Sequence, residues 1–196
     1  MRYYNMTLAA FAIIALSITT QAAPIYTWIP WYAINDANKV LDSEYGGIRA
    51  DEVISHVALQ FWHMRSDGSL YIHGTTMEKT KSLIQSLKDK NIKVGMAIVN
   101  IGSEETGYDS FDWTIVRPAL SGDTLQTFVD NILNIADSLG IDDVNLDIEG
   151  EDQQGGPWTD EDKDQFANFV GILADSLHAR NKTLSAAAYG TNTYGA

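Results

Sequence analysis

The chain has 196 residues, with 13 Lys and Arg against 26 Asp and Glu and a net charge of −13. That balance excludes an extended basic surface for nucleic acid or anionic membrane, and a hydrophobic share of 45% excludes a disordered acidic tail. The absence of cysteine removes disulfide frameworks, thiolate metal sites and cysteine nucleophiles together.

Arg2 precedes the apolar run LAAFAIIAL at 8–16, and small residues follow as far as Ala22. Residues 1–22 therefore read as a secretory signal peptide cleaved after Ala22. The apolar run is about nine residues long where a membrane span needs roughly twenty. The expectation is a secreted chain, extracellular or periplasmic, with no membrane span after cleavage.

From Ala23 on, two periodicities alternate. Residues 25–32 (IYTWIPWY) are β-branched and aromatic, as a strand requires. Residues 55–64 (SHVALQFWHM) form a second strand. Thr75 and Glu78 make a capping box for a helix with Met77, Leu83, Ile84 and Leu87 on one face. Residues 92–101 (IKVGMAIVNI) read as a strand buried on both sides. Leu125, Phe128, Val129, Ile132, Leu133, Ala136 and Leu139 then recur at helical spacing, with Gly140 as the stop. Residues 142–149 (DDVNLDIE) are the fourth strand. Thr159 caps a long acidic helix whose inner face is Phe166, Phe169, Val170, Leu173 and Leu177, and 183–189 (TLSAAAY) is the fifth strand.

Strands alternating with amphipathic helices mean βαβ units and a parallel sheet, an α/β protein. The sequence WIPW stands where a dinucleotide-binding sheet carries its Gly-rich phosphate loop, so that fold loses support. The other common architecture is the (β/α)8 TIM barrel, with its active site at the carboxyl ends of the strands and typically about 250 residues. Only about the first five strands are present, so the sheet is expected to be part of a longer barrel with two exposed edges.

The informative segment is 142–149. Alternate residues of a strand face alike, so Asn145, Asp147 and Glu149 share one face, and Val144, Leu146 and Ile148 share the other. Buried carboxylates are costly unless partnered, and a sequence rarely carries that cost for stability alone. A helix–loop–helix calcium site starting at Asp143 needs Gly at its sixth position and Glu at its twelfth, where this chain has Ile148 and Gln154. A cluster of catalytic carboxylates at the end of the fourth strand remains.

Here the residues resemble a family. Segment 142–149 is similar to the D-G-x-[DN]-x-D-x-E signature of the family 18 glycoside hydrolases, chitinase-like (β/α)8 barrels in which it also ends the fourth strand. Asn145, Asp147 and Glu149 match, and Asp143 replaces the usual Gly. Residues 97–100 (AIVN) stand where chitinases usually have S-x-G-G, and Val99 with Asn100 is more similar to the cell-wall-lytic branch. The resemblance implies that 23–196 is a partial catalytic domain, hydrolysing β-1,4-linked N-acetylglucosamine glycans by substrate-assisted retaining catalysis. It implies Glu149 as the general acid and Asp147 as acceptor of the substrate's acetamido N–H. Asn145 is then expected to sit deeper and hydrogen-bond Asp147. Trp28, Trp62, Asn100 and Tyr189 are expected at the substrate, although Trp28 and Trp62 equally suit barrel filling. The expected partner is an N-acetylglucosamine-containing polysaccharide. No cofactor is implied, and His56, His63, His73 and His178 show no metal spacing. The alternative is a non-catalytic, chitin-lectin-like relative or an inactive fragment; the presence of Glu149 favours the enzyme.

Overall fold

A computed structural model describes residues 25–150 and 154–187. The expected leader at 1–22 and the expected substrate residue Tyr189 lie outside the described residues. The strands of the main sheet are β1 (Ile25–Pro30), β2 (Ile54–Met64), β3 (Leu70–Ile72), β4 (Lys93–Val99), β5 (Asp143–Asp147) and β6 (Thr183–Ala186). The helices are α1 (Ala37–Leu41), α2 (Ala50–Val53), α3 (Met77–Asp89), α4 (Trp113–Ala119), α5 (Gly122–Leu139) and α6 (Asp160–His178).

β1, β2, β4, β5 and β6 lie side by side in that order, every pair parallel. Each strand thus pairs with the next across an intervening helical crossover, which is the barrel arrangement expected from the sequence. Among the described residues the sheet is open, with β1 and β6 at its edges. β3 adds an antiparallel strip to the end of β2, pairing Trp62 with Ile72 and Met64 with Leu70. Neither β3 nor α4 was anticipated, because three residues and seven residues are too short to show a period.

The sheet has two unlike faces. Outward, Val57, Leu59 and Phe61 of β2, Val94, Met96 and Ile98 of β4, and Val144 and Leu146 of β5 are buried under Leu83, Leu87, Phe128, Ile132, Phe169 and Leu173 of the helices. Phe128 of α5 stacks on Phe169 of α6 with ring centroids 5.2 Å apart, locking neighbouring helices together. Inward, register aligns Tyr26 with His56, Trp28 with Ala58, Gly95 with Asp143, and Ala97 with both Asn145 and, through it, Ser185. Small residues in the middle strands leave room for long polar side chains to meet above them.

Helix ends follow local chemistry. Thr159 forms a full capping box with Asp162, and α5 stops at Gly140, whose φ of 61° is left-handed. The cap of α3 is Thr76 rather than Thr75; its hydroxyl accepts the Lys79 N–H at 3.3 Å, as a cap three residues earlier must. Among the described residues no helix is long and apolar enough to cross a membrane.

Candidate active site

Asn145 and Asp147 lie buried on the inner face of β5. Asp147 Oδ2 accepts a hydrogen bond from Gln60 Nε2 of β2 at 2.5 Å. Asn145 Oδ1 accepts from Trp28 Nε1 of β1 at 3.1 Å, and its Nδ2 donates to Ser185 Oγ of β6 at 2.9 Å. The expected bond between Asn145 and Asp147 is therefore replaced by bonds to other strands. Residues two apart on a strand are about 6.6 Å apart along it, whereas the curved sheet brings side chains of other strands together over Ala58, Gly95 and Ala97.

Glu149 follows two residues after β5, where the ladder has ended. Its backbone is held by a side chain instead: Asn100 Oδ1 accepts the Glu149 N–H at 3.0 Å, and Asn100 Nδ2 donates to the Glu149 carbonyl at 2.9 Å. The same carbonyl accepts from Trp113 Nε1 at 2.9 Å. Trp113 opens α4, and Asp112 fixes that helix by accepting the Thr114 N–H and hydroxyl at 2.8 and 2.6 Å. Asp112 in turn donates its own N–H to the Asn100 carbonyl at 2.7 Å.

Two expected substrate residues are buried. Asn100 is fully buried, and its side-chain amide bonds the Glu149 backbone through both its oxygen and its nitrogen. Trp62 is 1% exposed and packs on Phe61; the register shift in β2 aligns it with Ile98 of β4, and it belongs to the buried apolar core. Trp28 is 47% exposed and stands on the open inner face. Gln60 and Ser185 belong to the arrangement and were missed. Gln60 carried a signal, as the one amide inside the apolar run VALQFW; Ser185 carried none.

At the carboxyl end of β2, His63 stacks on His73 with centroids 4.6 Å apart, and its Nδ1 is 3.1 Å from the Tyr71 hydroxyl. Burial, reinforced by the neighbouring His73, pushes the His63 imidazole down to about 4. Lower in the sheet, burial and a hydrogen bond to Asp143 raise the Tyr26 phenol above its ordinary value. Among the described residues no group of three or more His, Asp or Glu side chains could hold a metal ion.

A parallel α/β sheet whose fourth main strand carries Asn145 and Asp147 on one face, with Glu149 two residues past its end, is the architecture of a partial TIM barrel. The chain matches the model of the family described as Glycosyl hydrolases family 18 over residues 28–194, and it belongs to that family. No curated protein matches it in sequence. Among solved structures it is similar to a chitinase from Chromobacterium violaceum, with 15% identity and a TM-score of 0.60 over 82% of this chain and 44% of that one. It is also similar to the spore cortex-lytic enzyme SleL of Bacillus cereus, with 18% identity and a TM-score of 0.61 over 83% and 35%. A class V chitinase from Pseudomonas fluorescens shares 20% identity and a TM-score of 0.62 over 84% and 44%. The chain spans less than half the length of each of these proteins, and the likeness is one of fold.

Proposed function

We propose that the protein hydrolyses β-1,4-linked N-acetylglucosamine glycans by substrate-assisted retaining catalysis. The observation that carries this reading is the placement of both carboxylates at the end of one strand. Asp147 ends β5 and Glu149 follows two residues later, a separation of about 6.6 Å for extended backbone, so a sugar would meet both carboxylates from one side. A carboxylate nucleophile facing an acid requires two opposed walls. One wall leaves attack on the anomeric carbon to the substrate's own 2-acetamido oxygen, the route open to this family.

In this mechanism Glu149 protonates the leaving oxygen, and later takes a proton from the attacking water. Asp147, oriented by Gln60, accepts the acetamido N–H and holds that group under the anomeric carbon. Asn145 braces the Trp28 indole, whose exposed face forms a wall for the sugar. The chitinases among the structural neighbours agree with a chitin-like substrate. Export is part of the proposal and rests on Arg2 and the apolar run before Ala22.

The test is turnover and calorimetry on the full chain with N-acetylglucosamine oligomers and glucose oligomers of equal length. Glu149→Gln keeps the shape but has no proton to give; turnover should fall roughly 10²–10⁴-fold while oligomer binding persists. Near-normal turnover by Glu149→Gln would overturn the acid assignment. Equal affinity for both oligomer series would overturn the acetamido role of Asp147.

A further inference from the structure

Below the proposed site, the polar side chains of the inner face form one connected column. At its base Asp143, which is 3% exposed, receives three hydroxyls. Tyr26 and Ser185 donate to Oδ2 at 2.6 and 3.0 Å, and Thr183 donates to Oδ1 at 2.7 Å. Room for this carboxylate comes from Gly95 across the ladder. A Cβ there would lie 3.1 Å from the Tyr26 oxygen and 3.2 Å from Asp143 Oδ2, tighter than ordinary contact.

The acceptor at the base dictates each polarity above it. Because Ser185 gives its proton to Asp143, its oxygen is left to accept, and it accepts from Asn145 Nδ2 at 2.9 Å. That choice turns the Asn145 amide so that Oδ1 faces β1, where it accepts from Trp28 Nε1 at 3.1 Å. Asp143 reaches the same indole by a second route. Tyr26, held by Asp143, meets Trp28 edge to face with centroids 5.8 Å apart. Trp28 is half exposed, so packing alone leaves its ring poorly held, and these two contacts orient it.

We propose that Asp143 is a positioning residue: through Ser185 and Asn145, and through Tyr26, it sets the orientation of the Trp28 indole. What that indole faces, a sugar, rests on the function proposed above. In the signature that segment 142–149 resembles, the position of Asp143 is a glycine, so the carboxylate at the base of the column is not part of that signature.

The test follows the indole N–H resonances of the ¹⁵N-labelled full chain, with Trp28→Phe to assign Trp28. Trp113, whose N–H goes to the Glu149 carbonyl and not to the column, is the internal reference. Asp143→Asn brings an N–H group to three donors, and Ser185→Ala cuts the link to Asn145. Each should shift the Trp28 resonance and speed its exchange with solvent about 2–10-fold, the loss of one hydrogen bond, with Trp113 unmoved. Ser185→Thr should restore it. Ser185→Ala leaves the carboxylate with two of its donors, so it carries the test even if Asp143→Asn does not fold. An unchanged Trp28 resonance in Ser185→Ala would overturn the proposal, as would Trp113 moving in step with Trp28. Titration with an N-acetylglucosamine tetramer separates the two readings. If the wild-type chain binds none, the glycan reading falls, while the indole resonance still decides the role of Asp143.

Discussion

The side-chain amide of Asn100 holds the peptide of Glu149 from both sides, accepting its N–H at 3.0 Å and donating to its carbonyl at 2.9 Å. It supplies one more rung to the β4–β5 ladder, after the Val99–Asp147 pair that ends it. A strand that continued by main-chain bonds would keep Glu149 in the pleat. A side-chain rung lets the backbone leave the ladder while the Glu149 peptide stays tied to its end. Because Asn100 is fully buried, neither of its polar atoms has water to turn to if the partner is lost.

Asn100→Leu removes both bonds and leaves the Glu149 N–H without its acceptor. Urea unfolding should show a loss of about 1–3 kcal/mol, the cost of stranding buried polar groups. Asn100→Asp keeps the acceptor and opposes a carboxylate to the Glu149 carbonyl, so it should be no milder. If both variants unfold at the wild-type midpoint, the clamp contributes nothing.

Gln60 is the hydrogen-bond donor to Asp147, 87 residues away in sequence. Gln60→Leu keeps the volume and strands a buried carboxylate, at a cost of about 1–3 kcal/mol in unfolding free energy. In the proposed reaction it should lower kcat more than it raises KM, because Asp147 tightens on the acetamido group as that group attacks. A change in KM alone would assign Gln60 to ground-state binding.

Asp162 couples the start of α6 to α4. Arg117 Nε and Nη2 reach its two carboxylate oxygens at 2.7 and 3.0 Å, and Thr159 completes the capping box. The Arg117 hydrogen bonds hold the Asp162 carboxyl well below the ordinary carboxylate range. A folded value below the unfolded one gives stability that is complete above about pH 4 and is lost as the pH falls further. Asp162→Asn should therefore destabilise at neutral pH by on the order of 2 kcal/mol, discounted because Arg117 is partly exposed. It should also flatten the acid limb below pH 4. An acid limb identical to wild type would remove Asp162 from the account.

His63 works in a higher window. Its folded value, about 4, lies below the ordinary imidazole value, so between roughly pH 6.5 and 4 the unfolded chain binds a proton that the folded chain does not. Stability should fall by up to about 3 kcal/mol across that interval and level off below it. The groups facing it are His73, Tyr71 and, beyond His73, Glu104 at 4.0 Å. Thermal midpoints between pH 7 and 4 should slope less in His63→Gln; the same slope in both proteins would place the pH dependence elsewhere.

The sequence by itself determined the order of the five parallel strands and the helices α3, α5 and α6 between them, the cap at Thr159 and the stop at Gly140, because these depend on nearby neighbours. It also determined that Asn145 and Asp147 share a side of their strand, since a period of two is a local property, whereas Glu149 falls past the strand's end. Partners were another matter. Trp28 and Asn145 are separated by 117 residues, and no periodicity carries the register between strands that brings them together. Only the tertiary structure gave Asp147 to Gln60 and Asn145 to Trp28 and Ser185, and committed Asn100 to a backbone. Trp28 and Trp62 show the reason plainly. Both are tryptophans in apolar strands, yet one is 47% exposed and the other 1%: Trp28 stands on the edge strand β1, whereas Trp62 aligns with Ile98 inside the sheet and belongs to the apolar core. Burial is a property of what lies across the sheet, and that is written in segments far along the chain.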